Sequence, residues 1–249
     1  FYDAVGTQNF TFRRFKYMLD FSGFSKISKF AISNVDFLCR GDCNGLLLPT
    51  KGIGFHLRDC WFTSPRERGV SSHGDGCQGM MIDRCQFLSD ESAELSQNRS
   101  SIGFNTNSND VKIRDNRAQH LRHFGVIGSG HTIMTGNHFF QGDDAANGIR
   151  TAGIIVTEPS ARMTFTGNYV DNCFIEWANE HDQAPAFSSE LSFSAMTIAD
   201  NIFLASHVAP WFTFLSVQPH GPGHFINGLS VTGNVFRVLG NNTDRVEQI

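Results

Sequence analysis

Side chains able to move protons recur at one point of a periodic phrase in this 249-residue chain. Asp90, then His120, Arg122 and His123, then Asp143 and Asp144, then Glu176 each follow shortly after an apolar segment that ends in a polar corner. Carboxylates held close together share protons unequally. One stays protonated and acts as a general acid, its neighbour stays ionised, and an adjacent His or Arg tunes the pair. The seven residues form the expected catalytic set. A second group, Trp177, Trp211, Arg150, His181, Asp182 and His224, combines aromatic faces with polar groups. Pyranose rings dock on aromatic faces while their hydroxyls bond polar side chains, so these six are expected to bind substrate.

What must position these groups is a repeat. Its phrase is an apolar residue, two small or polar residues, a position that is usually Asn or Cys, any residue, then usually Phe. The instances start at Ile32, Leu57, Ile82, Ile113, Met134, Phe165, Ile198 and Val231, and their fourth positions are Val35, Cys60, Cys85, Asn116, Asn137, Asn168, Asn201 and Asn234. Successive fourth positions are 25, 25, 31, 21, 31, 33 and 33 residues apart. A second apolar run precedes most instances, as at 45–48, 102–104, 124–127, 153–156 and 211–215. Each unit therefore carries two or three short strands separated by Gly, Asn, Asp and Ser turns.

Such a period with short strands and polar turns predicts an all-β solenoid of about eight rungs, each laying its strands beside those of the rung before. Equivalent residues then stack about 4.8 Å apart. Five Asn form an amide ladder at an inward corner, with Cys60 and Cys85 in the same slot two rungs earlier, and the Phe two residues on forms a hydrophobic stack. The whole of 1–249 is expected to form one domain, a piece of a longer chain, with lateral loops at 141–152, 172–191 and 204–225. Groups just after the corner on neighbouring rungs fall roughly 5 Å apart, and on alternate rungs roughly 10 Å, near the carboxylate separations of retaining and inverting glycosidases. Asp143 or Asp144 with Glu176 is the adjacent-rung pair, Asp90 with Asp143 the alternate-rung one.

With these phrases the chain resembles the right-handed parallel β-helix proteins of the pectin-lyase-like superfamily, whose coils read G-I-x-I, a turn, then V-x-I-x-x-N-x-F. That resemblance implies a single-stranded right-handed parallel β-helix and a polysaccharide as partner. Gly142-Asp143-Asp144 also resembles the Gly-Asp-Asp element of polygalacturonases, in which both Asp are catalytic. The chain departs from those enzymes in reading Asn105-Thr106-Asn107 where they have Asn-Thr-Asp, and in offering only Gly223-His224 downstream. A lyase mechanism would instead use Ca²⁺ on several acids and an Arg base, Arg122 or Arg150. A hydrolase would need no cofactor.

Composition narrows the classes. With 20 Lys+Arg against 24 Asp+Glu the chain lacks the basic surface that nucleic acid demands, and no apolar run is long enough to span a membrane. Among the aromatics Phe dominates, 24 against 3 Trp and 3 Tyr. The six Cys show no paired spacing for zinc, and Cys39 and Cys43 either close a small disulfide loop or remain thiols. The expected function is polysaccharide binding and cleavage by a glycoside hydrolase or polysaccharide lyase. The alternative is a tailspike or fibre-type receptor-binding protein, a homotrimer with little catalysis. Either reading places the protein outside the cell, secreted or on a virion surface.

Overall fold

The computed structural model describes residues 16–49, 51–71, 76–88, 102–106, 110–121, 123–127, 131–140, 152–156, 162–173, 175–177, 191–205, 213–217 and 224–239. The described residues contain strands and no helix. Three sheets of eight strands, all parallel, take one strand from each successive repeat.

Sheet I consists of β1 (Tyr17–Asp20), β5 (Asn44–Leu47), β9 (Arg68–Ser71), β13 (Ile102–Thr106), β16 (His123–Ile127), β19 (Ala152–Val156), β22 (Ile175–Trp177) and β25 (Leu215–Val217). Sheet II consists of β3 (Ala31–Ser33), β7 (His56–Arg58), β11 (Met81–Asp83), β14 (Val111–Arg114), β17 (His131–Thr135), β20 (Arg162–Thr166), β23 (Leu191–Ala199) and β26 (His224–Thr232). Sheet III consists of β4 (Asp36–Leu38), β8 (Trp61–Thr63), β12 (Gln86–Leu88), β15 (Arg117–Gln119), β18 (His138–Phe140), β21 (Tyr169–Asp171), β24 (Ile202–Ala205) and β27 (Val235–Val238). A short fourth sheet joins β2 (Ile27–Ser28), β6 (Lys51–Ile53) and β10 (Gly76–Gln78) in the first three repeats. Long parallel sheets stacked in the order of the repeats are compatible with a parallel β-helix. The repeat phrase marks sheets II and III, but nothing in its period marks the fourth sheet.

Each phrase supplies a sheet II strand, a corner and a sheet III strand, and the corner has one geometry throughout. Its third residue is left-handed in all eight instances: Asn34, Asp59, Arg84, Asp115, Gly136, Gly167, Asp200 and Gly233 have φ between 49° and 66°. Gly, Asn and Asp visit that region most readily, which explains why the phrase spends them there. Arg84 alone carries a long side chain in it.

That turn directs the fourth residue inward. Asn116, Asn137, Asn168 and Asn201 are buried, and each Nδ2 donates to Oδ1 of the Asn one coil on, at 2.8–3.0 Å. The same Oδ1 accepts the backbone N–H of the preceding Asn, and each Nδ2 also donates to a main-chain carbonyl of the coil before. The ladder read from the sequence is therefore complete in its hydrogen bonds. Cys60 and Cys85 stand in the same slot, fully buried, and the N–H of Cys85 donates to Oδ1 of Asn116.

The Phe stack forms in two pieces. Phe37 lies flat on Phe62 at 4.4 Å and Phe62 on Phe87 at 5.0 Å. Ala118 and Val170 then interrupt the column, and Phe165, from the sheet II side of the corner, stands 6.3 Å from Phe139 and 6.4 Å from Phe203. Phe203 stacks on Phe236 at 5.0 Å. Each such ring contributes on the order of 1.5–3 kcal/mol by leaving water. Among the glycines, Gly45 answers to this core, because a Cβ there would overlap the Phe62 ring.

Candidate functional site

Sheet III sets the starting line for the expected catalytic ridge. Its strands align Leu88 with Gln119, Gln119 with Phe140 and Phe140 with Asp171. Leu88, Gln119, Phe140 and Asp171 thus lie on one line in consecutive repeats, and in sequence Asp90, His120 with Arg122 and His123, Asp143 with Asp144, and Glu176 follow them. Of the residues themselves, Asp90, Arg122, Asp143, Asp144, Arg150, His181, Asp182 and Trp211 lie outside the described residues.

His120 occupies the turn after β15 with φ 55°. Its ring meets the Phe140 ring edge-on at 5.2 Å, and its Nε2 lies 2.8 Å from Nε2 of Gln119. His123 opens β16, in register with Ile102 and Ala152. Glu176 is the middle residue of β22, paired with Ile155 and Ser216, and Trp177 pairs with Val156 and Val217. His224 opens β26 opposite Leu191. Glu176, Trp177 and His224 fall in stretches expected to be lateral loops, yet they belong to strands. Sheets I and II draw a strand from every repeat, and that demand overrides the loop-like composition. For the same reason the last strand of sheet I is Leu215–Val217, displaced from the apolar run at 211–215.

A depression of about 540 Å³ opens on the outer face of sheet III across its fourth, fifth and sixth strands. In these strands the middle residue is core, so the two flanking residues face outward. The outward pairs are Arg117 and Gln119, His138 and Phe140, and Tyr169 and Asp171, with Gly136 and Gly167 at the corner edge. The His138 and Tyr169 rings meet edge to face at 4.8 Å. Burial, aided by the Arg117 guanidinium, lowers the His138 pKa, so the imidazole is neutral at neutral pH. Burial and the Asp171 carboxylate raise the Tyr169 phenol. Sequence reading missed this groove because it attended to the core Phe and not to its two neighbours, which carry the signal when read down successive phrases.

A second polar cluster lies on sheet II. Asp83 is buried, 1% exposed, and accepts from Arg84 Nη1 at 2.8 Å and from Arg114 Nε at 3.0 Å. Arg84 also grips Asp59 through two contacts of 2.8 and 3.0 Å, which hold the Asp59 carboxyl below its ordinary range. These acids are committed to arginines and serve the wall.

The cysteines are structural. Cys39, Cys43, Cys60, Cys85 and Cys173 are buried and not joined in disulfides, and the Cys173 thiol donates to the Asp171 carbonyl. Burial, followed by the neighbouring Cys43, pushes the Cys39 thiol up, and the hydrogen bond to Cys60, followed by burial, does the same at Cys85. Among the described residues no group of three or more His, Cys, Asp or Glu could hold a metal ion, and no helix is long and apolar enough to cross a membrane.

No family model, no curated protein and no solved structure matches the chain.

Proposed function

We propose that the protein is a right-handed parallel β-helix of pectin-lyase-like type that binds and cleaves a polysaccharide at the ridge following sheet III. The observation that supports this reading is the strict register of Leu88, Gln119, Phe140 and Asp171, which starts the acid-bearing segments from one line at successive coils. In it, Asp143 or Asp144 pairs with Glu176 as general acid and carboxylate partner, Asp90 extends the ridge, and His120, His123 and Arg122 tune the protonation states. Trp177, Trp211, Arg150, His181, Asp182 and His224 hold the sugar. Hydrolysis needs only these side chains. Elimination would add Ca²⁺ on the acids and an Arg base.

A second reading, a trimeric spike body outside the cell or on a virion that binds glycan with little turnover, draws on a different observation. Leu38, Trp61, Ile202 and Val235 are 42–53% exposed on the outer face of sheet III, at its two ends. Apolar flanks of this kind suit burial against other copies.

The deciding experiment is release of reducing or unsaturated ends from acidic glycans. Asp143→Asn and Asp144→Asn are each expected to abolish it with the fold intact, and absorbance near 235 nm separates elimination from hydrolysis because only elimination leaves a conjugated C=C. Unchanged turnover in both variants removes that pair from the mechanism. Light scattering that shows a monomer counts against the trimeric spike.

A further inference from the structure

The outward residues of sheet III are not uniform along the stack. The second and third strands present Trp61 with Thr63 and Gln86 with Leu88, and the seventh and eighth present Ile202 with Leu204 and Val235 with Arg237. Only the fourth to sixth strands gather Arg117, Gln119, His138, Phe140, Tyr169 and Asp171, and it is there that the surface sinks into a groove. These strands are also where the corner residue is Gly at 136 and 167, both left-handed, and the Asp115 carboxylate lies over Gly136.

The groove is open, so it does not suit a small apolar ligand, which favours enclosure. Its charges are one guanidinium at one end and one carboxylate at the other, so it lacks the basic stripe of a nucleic-acid site. What it offers is aromatic surface between planar polar groups. Tyr169 and His138 form a right-angled pair, the His ring neutral at neutral pH. Among the described residues Arg117 forms no ion pair, which leaves its fork free for a carboxylate. Arg117 and Asp171 are two strands apart and offset by two residues along them, about 12 Å between backbones.

We infer that this groove is a carbohydrate-binding site separate from the catalytic ridge, taking a short uronate-bearing stretch of glycan. A sugar ring rests on Tyr169 beside His138, its carboxylate is held by Arg117, and hydroxyls of the next unit donate to Asp171 and bond Gln119. The inference stands on the groove's own chemistry and needs no turnover at the ridge.

Calorimetric titration of the full chain with short oligouronates of the galacturonate, glucuronate and mannuronate series, and with their carboxyl-reduced counterparts, tests it. At least one acidic series is expected to bind saturably and its reduced counterpart more weakly. Tyr169→Ala and Arg117→Met are each expected to weaken binding roughly tenfold, the loss of about 1.4 kcal/mol. Tyr169→Phe, which keeps the ring, retains most of the affinity. Asp143→Asn, the ridge variant, leaves this binding unchanged whatever it does to turnover, so failure of the cleavage reading and failure of this one are distinguishable. Absence of saturable binding by any oligouronate overturns the inference. So does affinity insensitive to both Tyr169→Ala and Arg117→Met in folded protein, and so does light scattering that shows copies associating through this face, with Tyr169→Ala dispersing them.

Discussion

Asn116 and Asn137, 21 residues apart in sequence, are bound twice: Oδ1 of Asn137 accepts both the backbone N–H and the Nδ2 of Asn116, each at 3.0 Å. One carboxamide oxygen thus satisfies two buried donors of the coil before it. Its own Nδ2 repeats the pattern toward Asn168 and Ile113. The ladder joins successive repeats by hydrogen bonds between buried groups.

Asn137→Ala is therefore expected to destabilise the fold by about 3 kcal/mol, because it leaves two donors on Asn116 and the Ile113 carbonyl without partners in a dry interior. Chemical denaturation of the two proteins measures the difference. A loss under about 1 kcal/mol would mean that the vacated slot admits water and that the ladder is dispensable.

The thiols at the start of the ladder make a converse test. In Cys85→Asn the new Nδ2 would meet Oδ1 of Asn116 and the Leu57 carbonyl, since Leu57 pairs with Ile82 and Ile82 already serves Asn116 in this way. Its Oδ1 would accept the N–H of Cys60. All groups find partners, so the variant is expected to match the wild type within about 1 kcal/mol in a thermal melt. A drop of several kcal/mol would show that the first coils are too tight for an amide. In the wild type, Cys85 is expected to stay unmodified by thiol reagents until the protein unfolds, as its buried thiol is held protonated.

How far the sequence discloses the molecule depends on whether a residue answers to the stack or to the solvent. The corner phrase is legible because three constraints coincide in it: a left-handed third residue, an inward amide and a core ring. The seven registers between successive strands of sheet II follow from it. The interruption at Ala118 is legible as a missing Phe, but the use of Phe165 beside the neighbouring rings is not, since that depends on how sheet II approaches sheet III. Glu176 and Trp177 read as loop because polar residues surround them, yet the pairing of β22 with β19 and β25 claims them for sheet I. The groove was missed for a different reason: its residues occupy the two outward positions of the phrase, and His138 and Tyr169 become neighbours only when the register is carried to those positions as well.

Arg84 and Arg114 share the buried carboxylate of Asp83, and this predicts non-additivity. Arg84→Gly relieves a left-handed backbone by roughly 1 kcal/mol. It gives up an exposed, water-screened pair with Asp59, while Arg114 still compensates Asp83. That variant should lie within about 1 kcal/mol of the wild type. Arg114→Met leaves Arg84 on Asp83 and should be similarly mild. Together they strand a buried charge and should destabilise by about 3 kcal/mol. A double-mutant cycle in denaturant reads the coupling, and simple additivity would show that the two guanidiniums do not substitute for one another at Asp83.

His138 provides a pH-dependent readout of the groove. Burial, then Arg117, lowers its folded pKa below the ordinary value of 6.5, so the unfolded chain takes up the proton more readily. The resulting stability is present in full above pH 6.5 and is lost as pH falls through the depressed folded value. His138→Gln, which cannot titrate, should lack this component. The melting temperature of the wild type relative to the variant should therefore be higher at about pH 8 than at about pH 5. Arg117→Met should raise the His138 midpoint in an NMR titration, though not to the ordinary value, because burial is the larger cause. A midpoint unmoved by that substitution would show that the guanidinium does not act on the ring, and would weaken the placement of Arg117 beside the aromatic pair.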